Sequence, residues 1–463
     1  MKKVLILITV LIFLFLGAYA ACSFLAQRQY ALAVTEMEKN FPGQIDSSYE
    51  QGLFSSQLVI RLKMATGEAH PAMPETITSR ISQTIHHGPF IFRAPPPGGS
   101  RFRPVQFTAH GTLEIEPFIA NEPPLIAQIR QLAATDINVH APLMGRTRVS
   151  FRGTPRQESW GVGSESFSLA WQGFTATLFL EDRNLRTYDL DLELPGVAIQ
   201  GQGARALVLD EMRFQATMEE GSNHLSLGTM LISLQKLEVI PGNRAEEKII
   251  MAGLQGRLTS SAENGLLRIE EEITLDHLLL AGQQYGPANL QISLANLDAQ
   301  TVAQLSKEFQ ALQMQEGNEA MARDILSSHV PALLAKSPEI RLNDFSLATP
   351  AGACEASARL AFDGEGEMSS NPLLLLGRLS AEAALTADEG FLAVQTKKII
   401  KQRLCGQHPA PDCDQEAARA GSKQLQDLTE QGILVLKGGK YTLKASFKNG
   451  QALLNGQPIP LPF

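Results

Sequence analysis

Positive charge is scarce in this chain of 463 residues, which has 40 lysines and arginines against 48 aspartates and glutamates. A net charge of −8 argues against the basic surface that binds phosphate backbones, so nucleic acid is not expected as a partner. Aromatic residues make up only 6% of the chain, so stacking platforms for bases or sugars are not expected either. With 19% charged and 44% hydrophobic residues, the composition is still that of a folded protein.

The sequence also lacks the local motifs of common enzyme classes, with no Gly-x-Ser-x-Gly elbow and no phosphate-binding loop. Residues 201–206, GQGARA, fit a dinucleotide fingerprint, but that site requires a helix and the following LVLDEMRF alternates like a strand. His86 and His87 are adjacent, and neighbouring residues on a strand point to opposite faces, so they do not predict a metal site. One of them is expected to pack or to hydrogen-bond in a turn. The triplet 270–272, EEE, predicts a solvated strand face.

Cysteine is rare, with four residues in the chain. Cys405 and Cys413 bracket the loop CGQHPAPDC, whose prolines and glycine suit a small closed ring, so we predict a disulfide between them in an oxidising compartment. The alternative is two unrelated small residues near a loop. His408 lies between them, but no fourth ligand is near enough in sequence to complete a zinc site. Cys354 is expected to be a buried small hydrophobe.

The long hydrophobic run lies at the start of the chain. Lys2 and Lys3 precede residues 4–26, which contain no charged residue and are numerous enough to span a membrane. The two lysines are expected to hold the N-terminus in the cytoplasm, so the remaining chain is exported.

Three interpretations of this run remain open. Residues 18–20, AYA, resemble a signal-peptidase site, and the apolar residues before them would serve as a signal-peptide core. Residues 19–22, YAAC, resemble a degraded lipobox that would place a lipid on Cys22. We favour the third interpretation, a retained membrane anchor over residues 1–27, because the apolar run continues past the cleavage site.

After the anchor, the hydrophobic pattern has mainly a period of two. The stretch 187–196, TYDLDLELPG, places its tyrosine and leucines on one face and its carboxylates on the other. Similar stretches, separated by turn signals such as Glu263-Asn264-Gly265, predict antiparallel sheets with one apolar and one polar face. Helical patterns are fewer and cover residues 28–40, 301–312, 320–334, part of 391–404, and 414–432.

The predicted fold is therefore mainly β with added helices (α+β), with elongated antiparallel sheets behind one N-terminal transmembrane helix. A shift in composition near Asp298 divides the exported chain. We predict an anchor at 1–27, a periplasmic β-rich part at 28–298 and a periplasmic α+β part at 299–463.

Five stretches, in order, resemble motifs of the YdgA-like family of Gram-negative envelope proteins, a domain of unknown function. The first, SSYEQGLFSSQLVI, combines a tyrosine, a glycine, an aromatic residue and a Ser-Ser pair, and the second, IHHGPF, contains a His-Gly-Pro turn. YGPANLQISLANLDAQTVAQL and SPEIRLNDFSLATPAG follow in mid-chain, and YTLKASFKNGQALLNGQPIP closes the chain. The residues that carry the resemblance are Tyr49, Gly52, Phe54, Ser55, Ser56, His87, Gly88, Pro89, Gly286, Pro287, Asn455 and Gly456.

The resemblance implies a single-pass protein of the cell inner membrane with the bulk of the chain in the periplasm. It implies no catalytic residue, and the motif residues are interpreted as structural, with glycines at turns or close backbone contacts and prolines that fix the turns. The architecture is also similar to that of the AsmA-like proteins, anchored β-rich bodies linked to envelope lipid traffic, although this is an analogy at the level of fold.

An apolar sheet face must be buried against helices, another sheet or a lipid-like ligand. Ordinary burial is one interpretation, and an apolar binding surface is the other. We hypothesise a protein of envelope homeostasis, neither an enzyme nor dependent on a cofactor or metal, that holds or passes lipid-like molecules along this face. The alternatives are a protein-interaction scaffold acting as a homo-oligomer in the inner membrane without a ligand and, more weakly, a hydrolase with a polar cleft of an unrecognised class.

Overall fold

The computed structural model describes residues 2–40, 44–65, 76–89, 105–116, 130–131, 134–162, 165–181, 187–201, 206–241, 247–314, 319–365, 372–405 and 413–459. The chain divides into two compact units, Met1–Met218 and Glu219–Phe463. Antiparallel strands dominate both units, as the period of two in the sequence predicts.

The first unit contains a long helix, α1 (Lys2–Asn40), and an antiparallel sheet. Its strands, the last of which crosses the boundary between the units, are β1 (Ile45–Glu50), β2 (Ser55–Ala65), β3 (Thr76–His87), β4 (Val105–Ile115), β5 (Thr135–Pro142), β6 (Thr147–Gly153), β7 (Arg156–Val162), β8 (Glu165–Trp171), β9 (Phe174–Leu180), β10 (Tyr188–Gly201) and β11 (Ala206–Glu220). Hydrogen bonds join them in the order β1–β2–β3–β4–β5–β6–β9–β10–β11, while β8 pairs with the end of β10 and β7 pairs with β8.

The core of the first unit lies between α1 and the strands nearest to it. Its buried residues are Ala26, Leu58, Ile60, Ile85, Phe107, Ala109 and Ala141. Tyr30 and Val34 of α1 pack against this cluster, so the second half of the helix belongs to the folded body. The boundary that the sequence predicts between anchor and body, at residue 27, lies within this docked segment.

The second unit contains a second antiparallel series of strands. They are β12 (Ser226–Ile240), β13 (Ile249–Glu263), β14 (Leu266–Leu275), β15 (His277–Leu280), β16 (Gln283–Tyr285), β17 (Ala288–Asp298), β18 (Glu339–Thr349), β19 (Gly352–Phe362), β20 (Leu379–Asp388), β21 (Val435–Lys437), β22 (Lys440–Lys448), β23 (Gln451–Leu454) and β24 (Gln457–Ile459). The main order is β12–β13–β14–β17–β18–β19–β20–β22–β23–β24. The short strands β15 and β16 extend from β13, and β21 pairs with β22.

Helices interrupt the strands of the second unit. They are α2 (Ala299–Met314), α3 (Glu319–Leu334), α4 (Pro372–Gly377), α5 (Glu389–Cys405) and α6 (Cys413–Glu430), with a short 3-10 turn at Ser222–His224. Asp298 caps α2 by accepting hydrogen bonds from the backbone N–H of Thr301, at 2.9 Å, and from its hydroxyl. The composition shift near Asp298 is therefore the junction of β17 and α2, inside the second unit, and the predicted division into domains stays a prediction.

The mainly β fold with added helices and antiparallel sheets is confirmed. Four of the helical patterns match α2, α3, α5 and α6 to within two residues at every end, while residues 28–40 are the end of the longer α1. Among the residues that the structure describes, no helix combines the length and apolarity needed to cross a membrane. The predicted transmembrane helix is therefore not confirmed.

Candidate functional site

Two motifs that are distant in the sequence meet at one end of the first sheet. Strands β2 and β3 pair with Ser55 opposite His86 and Ser56 opposite Ile85, which brings Ser56 close to His87. The ring of His86 stacks on that of His110 at 5.3 Å between centroids. The two adjacent histidines thus have different neighbours, as expected for successive residues of a strand.

Ser56 and His87 form a buried hydrogen bond, with 2.8 Å between Oγ and Nε2. Each residue is only 2% exposed. The backbone N–H of Gly52 donates to Ser56 Oγ at 3.1 Å, which ties the pair to the turn before β2. Burial, and secondarily the charge of His86, lower the pKa of His87 to about 4. His87 is therefore neutral at pH 7.

This pair does not have the geometry of a catalytic nucleophile. A Ser–His nucleophile requires access for a substrate and a third group that orients the imidazole. Ser56 has no such access, and Nδ1 of His87 has no hydrogen-bond partner among the described residues. The pair instead joins the turn before β2 to the end of β3, as does the bond from the His87 N–H to the Phe54 carbonyl at 2.9 Å.

Acidification is expected to destabilise the first unit through His87. Its folded pKa of about 4 lies below the ordinary value of 6.5, so the unfolded chain binds the proton more tightly and stability falls as the pH drops from 6.5 towards 4. The expected loss between pH 7 and pH 5 is about 2 kcal/mol. Urea unfolding followed by the fluorescence of Trp160 and Trp171, both in the first unit, measures it.

The variant His87→Gln is the control, because it removes the titrating group while keeping a side chain that hydrogen-bonds. It is expected to lose most of the difference between pH 7 and pH 5, whatever its absolute stability. An unchanged pH dependence in His87→Gln would assign the effect to other groups.

Part of α1 packs against this end of the first sheet. The sequence analysis did not predict this packing. Tyr19, Cys22, Ser23 and Ala26 are buried, and Ser23 Oγ donates to the Gly52 carbonyl at 2.9 Å. The sequence signal was available, because these residues recur at intervals of three and four, the spacing of one helix face.

Two aromatic side chains extend these contacts. The Tyr19 ring lies 5.1 Å from the ring of Phe54, centroid to centroid. Tyr30 donates from its hydroxyl to Oε1 of Gln83 at 3.0 Å, and its ring lies 6.4 Å from that of Tyr49. Burial, followed by the proximity of Tyr49, raises the pKa of Tyr30.

The later motif residues are placed in turns of the second unit. Gly286 has φ +99°, which favours glycine, and its N–H donates to the Ala348 carbonyl at 2.7 Å, while the Pro287 carbonyl accepts from the Ala348 N–H at 3.0 Å. Asn455 and Gly456 form the turn between β23 and β24. The Asn455 side chain accepts from the Lys444 N–H and donates to the carbonyls of residues 432 and 433.

The cysteines agree with the sequence analysis where they are described. Cys354 is a buried free thiol, as predicted, and Cys22 is also free and buried. Cys413 is disulfide-bonded. The side chain of Cys405 and the loop 406–412 lie outside the described residues, so the pairing of Cys405 with Cys413 stays a prediction.

Where the structure describes them, the enzyme-like strings of the sequence form no site. Ala206–Glu220 is a strand, as the alternation predicts, and residues 202–205 lie outside the described residues. Glu270 and Glu271 are exposed on β14. Within the described ranges, no three His, Cys, Asp or Glu side chains are grouped to hold a metal ion.

Five consecutive strands of the second unit share one apolar face. In β17, β18, β19, β20 and β22, the residues opposite each other across the pairs are apolar on this face. We call it the apolar face, and it comprises Ala288, Leu290, Ile292, Leu294, Ile340, Leu342, Phe345, Leu347, Cys354, Ala356, Ala358, Leu360, Phe362, Leu379, Ala381, Ala383, Leu385, Ala387, Tyr441, Leu443, Ala445 and Phe447.

Helices α5 and α6 cover one end of the apolar face. Tyr441 and Leu443 pack with Leu392 of α5 and with Leu425 and Leu428 of α6. At the other end, Ile340 is 47% exposed and Leu360, directly opposite it, is 41% exposed. We call the region around Ile340, Leu342, Ala358, Leu360 and Ala383 the open end of the apolar face; Ala358 and Ala383 are exposed and Leu342 is half-buried.

A cavity of about 400 Å³ adjoins the open end. Phe362 and Leu379, at the ends of their strands, line it from the apolar face. Arg359 and Lys448, also in the lining, follow or precede apolar-face residues by one position and so belong to the opposite face of the sheet. Glu339, also in the lining, pairs with Arg359 at 2.8 Å and with Arg341. Hydrogen bonds from these two arginines lower the pKa of Glu339 to about 2, so this carboxylate stays charged at any physiological pH.

The comparisons with known proteins agree with the motif analysis. Residues 1–462 match the family described as "Bacterial protein of unknown function (DUF945)". The chain belongs to this family. The chain is similar to "Protein YdgA" of Escherichia coli (strain K12), which is 20% identical over 493 aligned positions that cover 94% of this chain and 88% of that protein. The YdgA-like resemblance of this DUF945 member is thus confirmed, and no solved structure matches the chain.

Proposed function

We propose that this protein is anchored in the inner membrane and acts in the periplasm in cell-envelope homeostasis by binding or passing lipid-like molecules. The observation that carries the proposal is the open end of the apolar face, where Ile340 and Leu360 leave large apolar side chains in contact with solvent. Contiguous apolar surface on a folded protein marks a site for another molecule.

The dimensions of the apolar face suit an acyl chain. Five strands at about 4.8 Å spacing give a width of about 20 Å, and an acyl chain spans about half of the ~30 Å hydrocarbon core of a bilayer. The polar groups that the opposed residues place on this face are the Cys354 thiol and the Tyr441 and Thr349 hydroxyls. All three lie towards the covered end, where Cys354 and Tyr441 are buried. A chain lying across the open end would therefore meet apolar side chains alone.

The cavity offers polar groups to a head group that reaches around the strand ends at Phe362 and Leu379 to the opposite face. Its lining combines the cations Arg359, Arg378 and Lys448 with the carboxylates Glu339 and Asp363. This mixture favours an amphiphile whose head carries negative charge and hydrogen-bonding groups, with its chains on the apolar face.

The N-terminal helix supports retention of the anchor over the two alternatives. Cleavage after Ala20 would remove Tyr19, which is 3% exposed and packs against Phe54. Attachment of lipid to Cys22 would require access to a side chain that is 5% exposed. The intact mass of the mature protein tests this point, since a start at Ala21 or a lipidated Cys22 would overturn the retained anchor.

Mass spectrometry of lipids that copurify with the full-length protein tests the binding proposal. The protein is extracted in a mild detergent and compared with an unrelated single-span protein prepared in the same way. We expect a lipid class retained in near-stoichiometric amount by this protein alone. Lipid no richer than that of the control, together with specific protein adducts to a photo-crosslinker at position 340 in cells, would favour the scaffold instead.

A further inference from the structure

Two turns lie at the end of the first sheet that carries the Ser56–His87 pair. Strand pairing places the turn between β1 and β2 and the turn between β5 and β6 at this same end, since Ser55 pairs with His86, His87 with Phe107, and Val105 with Pro142. We call this end the turn edge.

Both turns expose large apolar side chains at their tips. Leu53 and Phe54, in the first turn, are 40% and 51% exposed, and Leu143 and Met144, in the second, are 47% and 92% exposed. Arg146, which follows the second tip, is paired with Asp189 at 2.6 Å and with Glu181 at 3.2 Å. This arginine offsets part of the negative charge next to the tip.

Helix α1 leaves the folded body at the turn edge. Tyr19 and Ser23 contact the first turn, while Tyr30 bonds to Gln83, four residues and about 13 Å farther along β3 from His87. The helix therefore runs from the edge inward, and the apolar residues before Tyr19 extend beyond the edge. Among these, Ile12, Leu14 and Leu16 are exposed.

We infer that the turn edge is seated on the lipid bilayer, with the tips at Leu53–Phe54 and Leu143–Met144 inserted at its surface. The exposed tips lie at the end of the body from which the apolar part of α1 extends, so a bilayer that holds this helix would also meet the tips. This inference rests on the membrane anchor of the proposed function and adds the surface on which the body lies.

Fluorescence quenching by spin-labelled lipid tests the inference on the full-length protein. Single cysteines replace Leu53, Met144 or Thr154 and carry an environment-sensitive fluorophore, while the native free thiols, Cys22 and Cys354, are buried and protected from labelling. Thr154 is an exposed control at the opposite end of β6, roughly 20 Å from the turn edge at about 3.3 Å per residue. The vesicles contain phosphatidylcholine and phosphatidylglycerol with a doxyl-labelled lipid.

We expect about twofold quenching at positions 53 and 144 and none at 154, because interfacial side chains lie ~5–10 Å deep in the head-group region. Flotation of the vesicles separates the two possible failures. Protein that floats with the vesicles but is unquenched at 53 and 144 would overturn the inference and leave the anchor intact. Protein that does not float would overturn the anchor and the inference together.

Discussion

Either substitution, Leu360→Lys or Ile340→Lys, is expected to reduce the amount of lipid that copurifies with the protein by at least about tenfold, equivalent to 1.4 kcal/mol of binding free energy. An acyl chain over the open end would cover the new ammonium group without a partner, and burying an unpaired charge costs far more than that. Since Leu360 and Ile340 are already more than 40% exposed, either lysine reaches solvent in the free protein and the fold should tolerate it.

The matched control is Ser357→Lys. Ser357 lies on the same strand, β19, is exposed, and pairs with Ala384 on the opposite face. This variant adds the same charge to the same strand and should copurify lipid like the wild type. Equal lipid in Leu360→Lys and Ser357→Lys would contradict binding at the apolar face, and thermal unfolding of both variants checks that neither has lost its structure.

Alanine at Gly88 is expected to destabilise the first unit by about 3 kcal/mol, at the upper end of what overpacking usually costs. The added Cβ would lie 1.7 Å from the Val105 carbonyl oxygen and 2.8 Å from its carbon. These are backbone atoms of a paired strand, and the Gly88 N–H donates to the Gln106 carbonyl at 2.8 Å, so neither side can move without losing hydrogen bonds. Urea unfolding followed by tryptophan fluorescence measures the loss.

Gly377→Ala provides the comparison for this prediction. A Cβ at Gly377 meets no atom within 4 Å, and its φ is outside the left-handed region, so the substitution should leave stability within about 0.5 kcal/mol of the wild type. Because both tryptophans lie in the first unit and Gly377 in the second, unfolding of both variants is followed by far-UV circular dichroism as well. A Gly88→Ala protein as stable as Gly377→Ala would show that β3 and β4 can separate at this end more easily than their hydrogen bonds imply.

Much of the local structure could be predicted because its signals are local. The alternation in residues 187–196 predicted β10, the Asn-Gly turn at 264–265 predicted the hairpin of β13 and β14, and the spacing in residues 301–312 predicted most of α2. The strand after Gly201 was also predicted correctly over the competing nucleotide-binding helix. Period and turn chemistry act within a few residues, so one sequence is enough to detect them.

The docked half of α1 was harder to predict because two constraints act on the same segment. Residues 4–26 are apolar as a membrane span would be, and this signal obscured the face formed by Tyr19, Cys22, Ser23 and Ala26. Small residues at helical spacing allow close packing against a sheet, but nothing local identifies the strands that they contact. Those strands come from as far away as β4, whose Phe107 lies against Tyr30.

The sequence by itself determined the class of fold, the two-faced character of the strands and the family, because polarity at a period of two and ordered motifs are readable along the chain. Only the tertiary structure decided that Ser56 and His87, 31 residues apart, share a buried hydrogen bond. It also decided that α5 and α6 cover one end of the apolar face and leave Ile340 and Leu360 exposed at the other. The physical reason is that burial depends on strand register and helix placement, which are set by contacts between distant residues.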